Sequence, residues 1–139
     1  MDQSFPKNEL SQELMNISPS TSLKFFMCNL SLGFKEIHFT FSEIFQQCTA
    51  VDVLINCIGI FNESLIDLTI QMNLIAPIHT STIMLEHWDK RRGGSGGLLI
   101  NVTSVAGLSP IPGIPVYCAS KAGVVAFTKS LAVRRKIVY

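Results

Sequence analysis

Nothing in the 139 residues is apolar over the roughly 18 to 20 consecutive positions that a membrane-spanning helix needs. The most continuous apolar stretch, 51–61, is interrupted by Asp52, Asn56 and Gly59. The opening Met1-Asp2-Gln3-Ser4-Phe5-Pro6 has neither the basic region nor the apolar run of a signal peptide. An excess of one charge is missing too: 11 Lys and Arg stand against 10 Asp and Glu, a net charge of +1. That balance gives no electrostatic footprint for nucleic acid and no polybasic membrane anchor. The four cysteines, Cys28, Cys48, Cys57 and Cys118, form no C-x-x-C pair and have no histidine partner at metal spacing. Free thiols, no metal site and a cytoplasmic location are therefore expected. His38, His79 and His87 show no ligand spacing either, and neither internal repeats nor low-complexity tracts occur. What is present is apolar side chain, 47% against 15% charged, which suffices for the core of one domain and excludes global disorder.

Short apolar runs alternate with longer amphipathic stretches. A helix is expected to end near Ile17, stopped by Ser18-Pro19-Ser20. Residues 23–28 read as a buried strand, and 32–48 as a helix with Phe34, Ile37, Phe41, Ile44 and Phe45 on one face. A second strand is expected over 51–56, a long helix over 64–88 with Pro77 as a kink point, a third strand over 98–103 and a helix over 116–133. The long helix turns Leu68, Met72, Ile75 and Ile83 inward on this reading, and the glycine-rich 93–97 run is a flexible connection. That run precedes a strand, whereas phosphate-binding loops follow one and open a helix. The alternation argues for an α/β fold with a parallel sheet and helices on both faces. Such sheets bind ligands at the carboxyl ends of their strands. Asn29, Asn56, Gly59 and Ser104 all fall at those ends.

Tyr117-Cys118-Ala119-Ser120-Lys121 carries the most chemistry. Four residues apart on a helix, Tyr117 and Lys121 differ by about 40° in azimuth and can face one pocket. A phenol has an unperturbed pKa near 10, and a neighbouring ammonium lowers it by favouring the phenolate. Tyr-x-x-x-Lys can thus take a proton from an alcohol, although a solvated helix face can match the same pattern. Ser104 lies thirteen residues earlier, in Asn101-Val102-Thr103-Ser104-Val105-Ala106-Gly107. Upstream stand Asn56-Cys57-Ile58-Gly59 and Asn73.

In order and spacing this set resembles the short-chain dehydrogenase/reductase family, with its N-N-A-G loop, helix Asn, strand-end Ser and Y-x-x-x-K. The resemblance covers about residues 8–133. It is nearest to insect-type alcohol dehydrogenases and 15-hydroxyprostaglandin dehydrogenases, through Val51-Asp52-Val53-Leu54-Ile55-Asn56, Trp88-Asp89-Lys90-Arg91-Arg92-Gly93-Gly94 and Val116-Tyr117-Cys118-Ala119-Ser120-Lys121-Ala122-Gly123. It implies a Rossmann-type doubly wound parallel sheet and hydride transfer between NAD(P) and a secondary alcohol or ketone. By position, Tyr117 is the acid/base, Lys121 lowers its pKa and bonds the nicotinamide ribose, Ser104 holds the substrate oxygen, and Asn73 positions a water. Asn56 and Gly59 line the cofactor cleft, and Val102 and Thr103 approach the nicotinamide. Asn29 stands where the family has an adenine-contacting Asp, and keeps an acceptor without the charge. Asp2 falls near the carboxylate that binds the adenosine ribose, which favours NAD over NADP. A homo-oligomer through the two long helices is implied as well.

The family's glycine-rich T-G-x-x-x-G-x-G turn, which holds the pyrophosphate, is not among the 139 residues. Ile58 replaces the Ala of N-N-A-G. The expected unit is residues 1–139 as a partial domain, its sheet incomplete, without the first strands or the C-terminal strands and substrate region. Strands at 23–28 and 51–56 would then stand roughly 14 Å apart unless they pair directly. Two functions follow: an oxidoreductase, or a non-catalytic fragment that associates with full-length subunits. Cofactor binding separates them, and weak NAD binding is expected of these residues alone.

Overall fold

The computed structural model of the chain describes residues 24–135. The helix expected to end near Ile17, Asp2 at its ribose position, and Leu23 at the start of the first expected strand lie outside the described residues.

Helix α1 (Phe34–Gln47) forms where the apolar spacing places it and buries Ile37, Thr40 and Phe41. Phe45 stacks on His87 at 4.0 Å, and Phe34 meets the edge of His79 at 5.1 Å and His38 at 5.6 Å, so all three histidines serve as ring partners. Strands β1 (Val53–Asn56) and β2 (Leu98–Asn101) pair in parallel, Val53 with Leu98 through Asn56 with Asn101. Between them runs a rod of three parts: α2 (Ile66–Ile70), a π-helical turn (Gln71–Ile75) and α3 (Ala76–His87). The wider turn ends two residues before Pro77, the expected kink point. Pro77 has no N–H for the Asn73 carbonyl four residues back, and a π turn accommodates the missing bond. Of the four residues expected to point inward, Ile83 is buried, Met72 and Ile75 are half-buried, and Leu68 is exposed. Helix α4 (Pro115–Arg135) closes the described residues.

The core is Ile37, Phe41, Ala76, Ile83, Met84 and Trp88, with Leu54 and Leu99 of the sheet packed against it. Trp88 donates its indole N–H to the Val51 carbonyl and fixes the approach to β1. A Cβ on Gly97 would come within 2.1 Å of the Trp88 ring, so that position admits only hydrogen. Gly94 N–H donates to the Asp89 carbonyl and Gly96 N–H to the Trp88 carbonyl. The glycine run is therefore a turn packed around Trp88 rather than a loose connection.

Two expectations need correction. Residues 24–28 form no strand, and with Phe25 and Met27 70% and 74% exposed the stretch is not a buried one either. Among the described residues the parallel sheet has two strands, where three were expected. Its side chains alternate with the pleat: Leu54, Asn56, Leu99 and Asn101 face the helices, while Val53, Ile55, Leu98 and Ile100 are 48%, 57%, 54% and 39% exposed. Among the described residues the helices thus cover one face. This is an α/β parallel arrangement, an incomplete Rossmann-type sheet with one layer of helices.

Candidate active site

The residues singled out by the sequence fall into two groups, one gathered around Lys121 and one drawn away from it. Lys121 is 5% exposed, and burial holds its pKa below the ordinary lysine value of 10.5, with charge on Cys57 opposing the shift. Its Nζ lies 5.8 Å from the centre of the Tyr117 ring and 3.5 Å from the Val102 carbonyl, its hydrogen-bond acceptor among the described residues. An ammonium has three donors, so two remain for a ligand. Gly59 comes close in front of it: a Cβ there would stand 3.1 Å from Nζ and 3.3 Å from the Asn73 Oδ1. Thr103 is tied to the same helix by donating its hydroxyl to the Lys121 carbonyl at 3.1 Å.

Asn73 is fully buried within the π turn. Its Oδ1 accepts from the Ile60 N–H at 2.7 Å, and its Nδ2 donates to the Ile60 carbonyl at 2.8 Å and the Ser120 hydroxyl at 3.1 Å. Ser120 donates in turn to the Tyr117 carbonyl at 2.8 Å. The Gly59–Ile60 backbone and the helix of Tyr117 and Lys121 are thus pinned through one buried amide. Ser104 follows β2 and accepts from the Ala106 N–H at 3.2 Å, opening the short 3-10 turn Val105–Gly107. That bond leaves its hydroxyl proton and a second lone pair available.

Asn56 and Asn29 sit elsewhere. Asn56 is 8% exposed and turned toward the helices, where its Nδ2 donates to Asn101 Oδ1 at 2.8 Å and to the Ser81 hydroxyl at 3.1 Å. Its Oδ1 accepts from Thr80 at 2.7 Å, and Asn101 donates onward to Thr128 at 2.9 Å. This chain braces the carboxyl ends of both strands against α3 and α4. Asn29 Oδ1 accepts from the Ser31 amide and hydroxyl at 3.1 and 2.7 Å and caps the turn Leu30–Leu32.

Sequence reasoning passed over Glu63, Ser120, Asn101 and Thr128. Glu63 accepts from the Val116 N–H at Oε2 and the Tyr117 N–H at Oε1, both at 2.9 Å. Phe61, two residues earlier, meets the Tyr117 ring edge-on at 5.2 Å. No local signal marks Glu63, because its partners lie 53 and 54 residues away.

A half-buried Tyr thus stands beside a buried Lys, on a helix next to the carboxyl ends of a parallel sheet, where ligands bind in Rossmann-type folds. The family model for short chain dehydrogenases matches residues 2–136, and the chain belongs to that family. It is similar to the alcohol dehydrogenase-related 31 kDa proteins of Drosophila erecta, 42% identical over 130 residues, and Drosophila mauritiana, 42% identical over 120. Those alignments cover 94% and 86% of this chain but 64% and 44% of the relatives. Among solved structures, 4-hydroxyisoleucine dehydrogenase complexed with NADH and succinate is 26% identical with a TM-score of 0.74, covering 92% of this chain and 56% of that one. ElxO with NADP bound has a TM-score of 0.75 at 22% identity, covering 94% and 54%, which shows the shared fold. All four cysteines are free thiols. No described helix is long and apolar enough to cross a membrane, and no cluster of three metal-ligating residues occurs among the described residues.

Proposed function

We propose that the chain carries the acid/base half of an NAD(P)-dependent oxidoreductase acting on a secondary alcohol or ketone. The observation that carries this reading is the buried Lys121 ammonium beside Tyr117, with two donors uncommitted and Gly59 leaving space in front of it. The ammonium favours the phenolate, so Tyr117 removes the alcohol proton during oxidation and returns it during reduction. Ser104 holds the substrate oxygen through its unused hydroxyl proton. Asn73 fixes the Gly59–Ile60 backbone opposite Lys121 and positions a water beside it.

A nicotinamide cofactor, when bound, accepts or supplies the hydride. The residues present fit its nicotinamide-ribose end: Lys121 would bond the ribose, Gly59 would pass it without a side chain, and Val102 and Thr103 would flank the ring. Asn56, its amide engaged by Asn101, Ser81 and Thr80, serves that end by holding the two strands level. Asn29 keeps its amide N–H groups for adenine while its oxygen is engaged by Ser31. NAD rather than NADP is the proposed cofactor, on Asp2. The similarity to alcohol dehydrogenase-related proteins and to 4-hydroxyisoleucine dehydrogenase supports an alcohol substrate. A cytoplasmic location and a homo-oligomer through the long helices belong to the same proposal.

The test is turnover of secondary alcohols with NAD in the protein extended to its relatives' length. Tyr117→Phe removes the acid/base hydroxyl, and a loss of about a hundredfold or more in kcat is expected. Undiminished turnover in that variant would refute the assignment. A second reading, a fragment acting by association with longer subunits, is favoured by the exposed Val53, Ile55, Leu98 and Ile100 of the sheet alone. Micromolar NAD binding by the 139-residue polypeptide would count against it.

A further inference from the structure

Helix α4 has a poor start by its own sequence. Ile114 occupies the N-cap position, where its carbonyl accepts from Cys118 N–H at 3.0 Å, but its side chain cannot accept a hydrogen bond. Pro115 follows at the first helical position and has no N–H to satisfy. The orphan donors are then the amides of Val116 and Tyr117, the two positions that an N-cap side chain ordinarily serves. Glu63 takes both, one on each carboxylate oxygen, from the loop between β1 and α2. A negative group at this end also meets the positive pole of the helix.

That loop is itself anchored. Asn62 Oδ1 accepts from the Ser64 and Leu65 amides at 3.0 and 3.1 Å, and Thr69 donates to the Asn62 carbonyl at 2.6 Å. Asn73 holds Ile60 from both sides of its peptide. Phe61 packs on the Tyr117 ring while Glu63 holds the Tyr117 amide, so one rigid loop grips the same residue by ring and backbone. A local cap on residue 114 would start the helix equally well, but it would not tie the helix to the loop that carries Gly59.

We infer that Glu63 is a positioning residue for the Tyr117–Lys121 couple, a helix cap supplied from a distant loop that fixes where the phenol stands relative to the cofactor side of the site. The inference rests on the reading of Tyr117 and Lys121 as acid and base. Glu63 touches no reacting atom; it acts through the first turn of α4.

The experiment compares Glu63→Ala, Glu63→Gln and the double variant Glu63→Ala/Ile114→Asp with the parent, each carrying Tyr139→Phe so that Tyr117 is the single tyrosine. The double variant restores a carboxylate to the same two amides without the link to the loop. Three readouts are taken: the thermal midpoint, the Tyr117 ring signal by near-ultraviolet circular dichroism, and kcat against KM in the protein extended to its relatives' length. Glu63→Ala is expected to lower the thermal midpoint and to cut kcat about tenfold to a hundredfold with KM for the alcohol little changed. The double variant is expected to recover the thermal midpoint while kcat stays low and the ring signal stays weaker than the parent's, the ring no longer being held against Phe61. Glu63→Gln, which keeps one acceptor and the side-chain volume, is expected to fall between parent and Glu63→Ala in both kcat and midpoint. Recovery of kcat and of the ring signal in the double variant would reduce Glu63 to a helix cap and overturn the inference. An unchanged midpoint and ring signal in Glu63→Ala and Glu63→Gln would overturn it as well. The ring signal needs no turnover, so failure of the oxidoreductase reading, seen in Tyr117→Phe, remains distinguishable from failure of this one.

Discussion

Lys121 is the residue at which stability and the proposed chemistry oppose each other. Burial holds its pKa below 10.5, so the folded chain releases the proton at a lower pH than the unfolded chain does. Between those two values the unfolded state binds more protons, and stability rises with pH over an interval that ends near 10.5. At neutral pH the desolvation penalty is present in full. What offsets it is small: a 3.5 Å hydrogen bond at the outer limit of useful geometry, and a contact with the Tyr117 ring at 5.8 Å. Lys121→Met, which keeps the chain length and deletes the charge, is expected to melt higher than the parent at pH 7. The gap should close as pH climbs towards 10.5, and the variant should lack turnover. Melting curves at a series of pH values check this, and a lower midpoint for the Met variant at pH 7 would contradict it. The residue types at this site were legible because Tyr-x-x-x-Lys acts within one helical turn. The orientation of Asn56 was not, since only the register against Asn101 shows that its side chain faces the helices. Glu63 was invisible for a related reason: a long-range cap leaves no trace near its own position.

At the scale of elements, the three helices expected within the described residues matched their periodicity to within two or three residues at their ends, because each buries a stripe whose spacing is local. Over 24–28 no strand formed, since an apolar run permits a strand without specifying one. The glycine run teaches a third lesson. Read from composition it is a connector; in the fold it is shaped by Trp88, whose ring is 3% exposed and fills the space above Gly97. Gly97→Ala would place a methyl 2.1 to 2.5 Å from three ring atoms, so the indole must shift or the turn must open. Overpacking of this kind costs about 1 to 3 kcal/mol. The chain has one tryptophan, which makes its fluorescence a specific report. The expected outcome is a lower thermal midpoint together with red-shifted emission, and emission identical to the parent would show that the ring had not been displaced.

Among the described residues the two faces of the sheet differ. One face packs Leu54 and Leu99 against the core, and the other leaves Val53, Ile55, Leu98 and Ile100 open, side by side in the register of the two strands. Among the described residues, these four β-branched or leucine side chains form one apolar patch, a surface suited to association. The 139-residue polypeptide is therefore expected to self-associate by itself as concentration rises, and to bind an apolar dye. Ile55→Thr with Ile100→Thr tests this cleanly, because threonine keeps the β-branched shape that suits a strand while removing apolar surface from the open face. Neither side chain belongs to the packed core, so the double variant should lose little of the thermal midpoint. It should shift sedimentation towards the monomer and reduce dye fluorescence. Association that persists unchanged in the double variant would place the contact elsewhere on the molecule, on the outer surfaces of α3 and α4 rather than on the sheet.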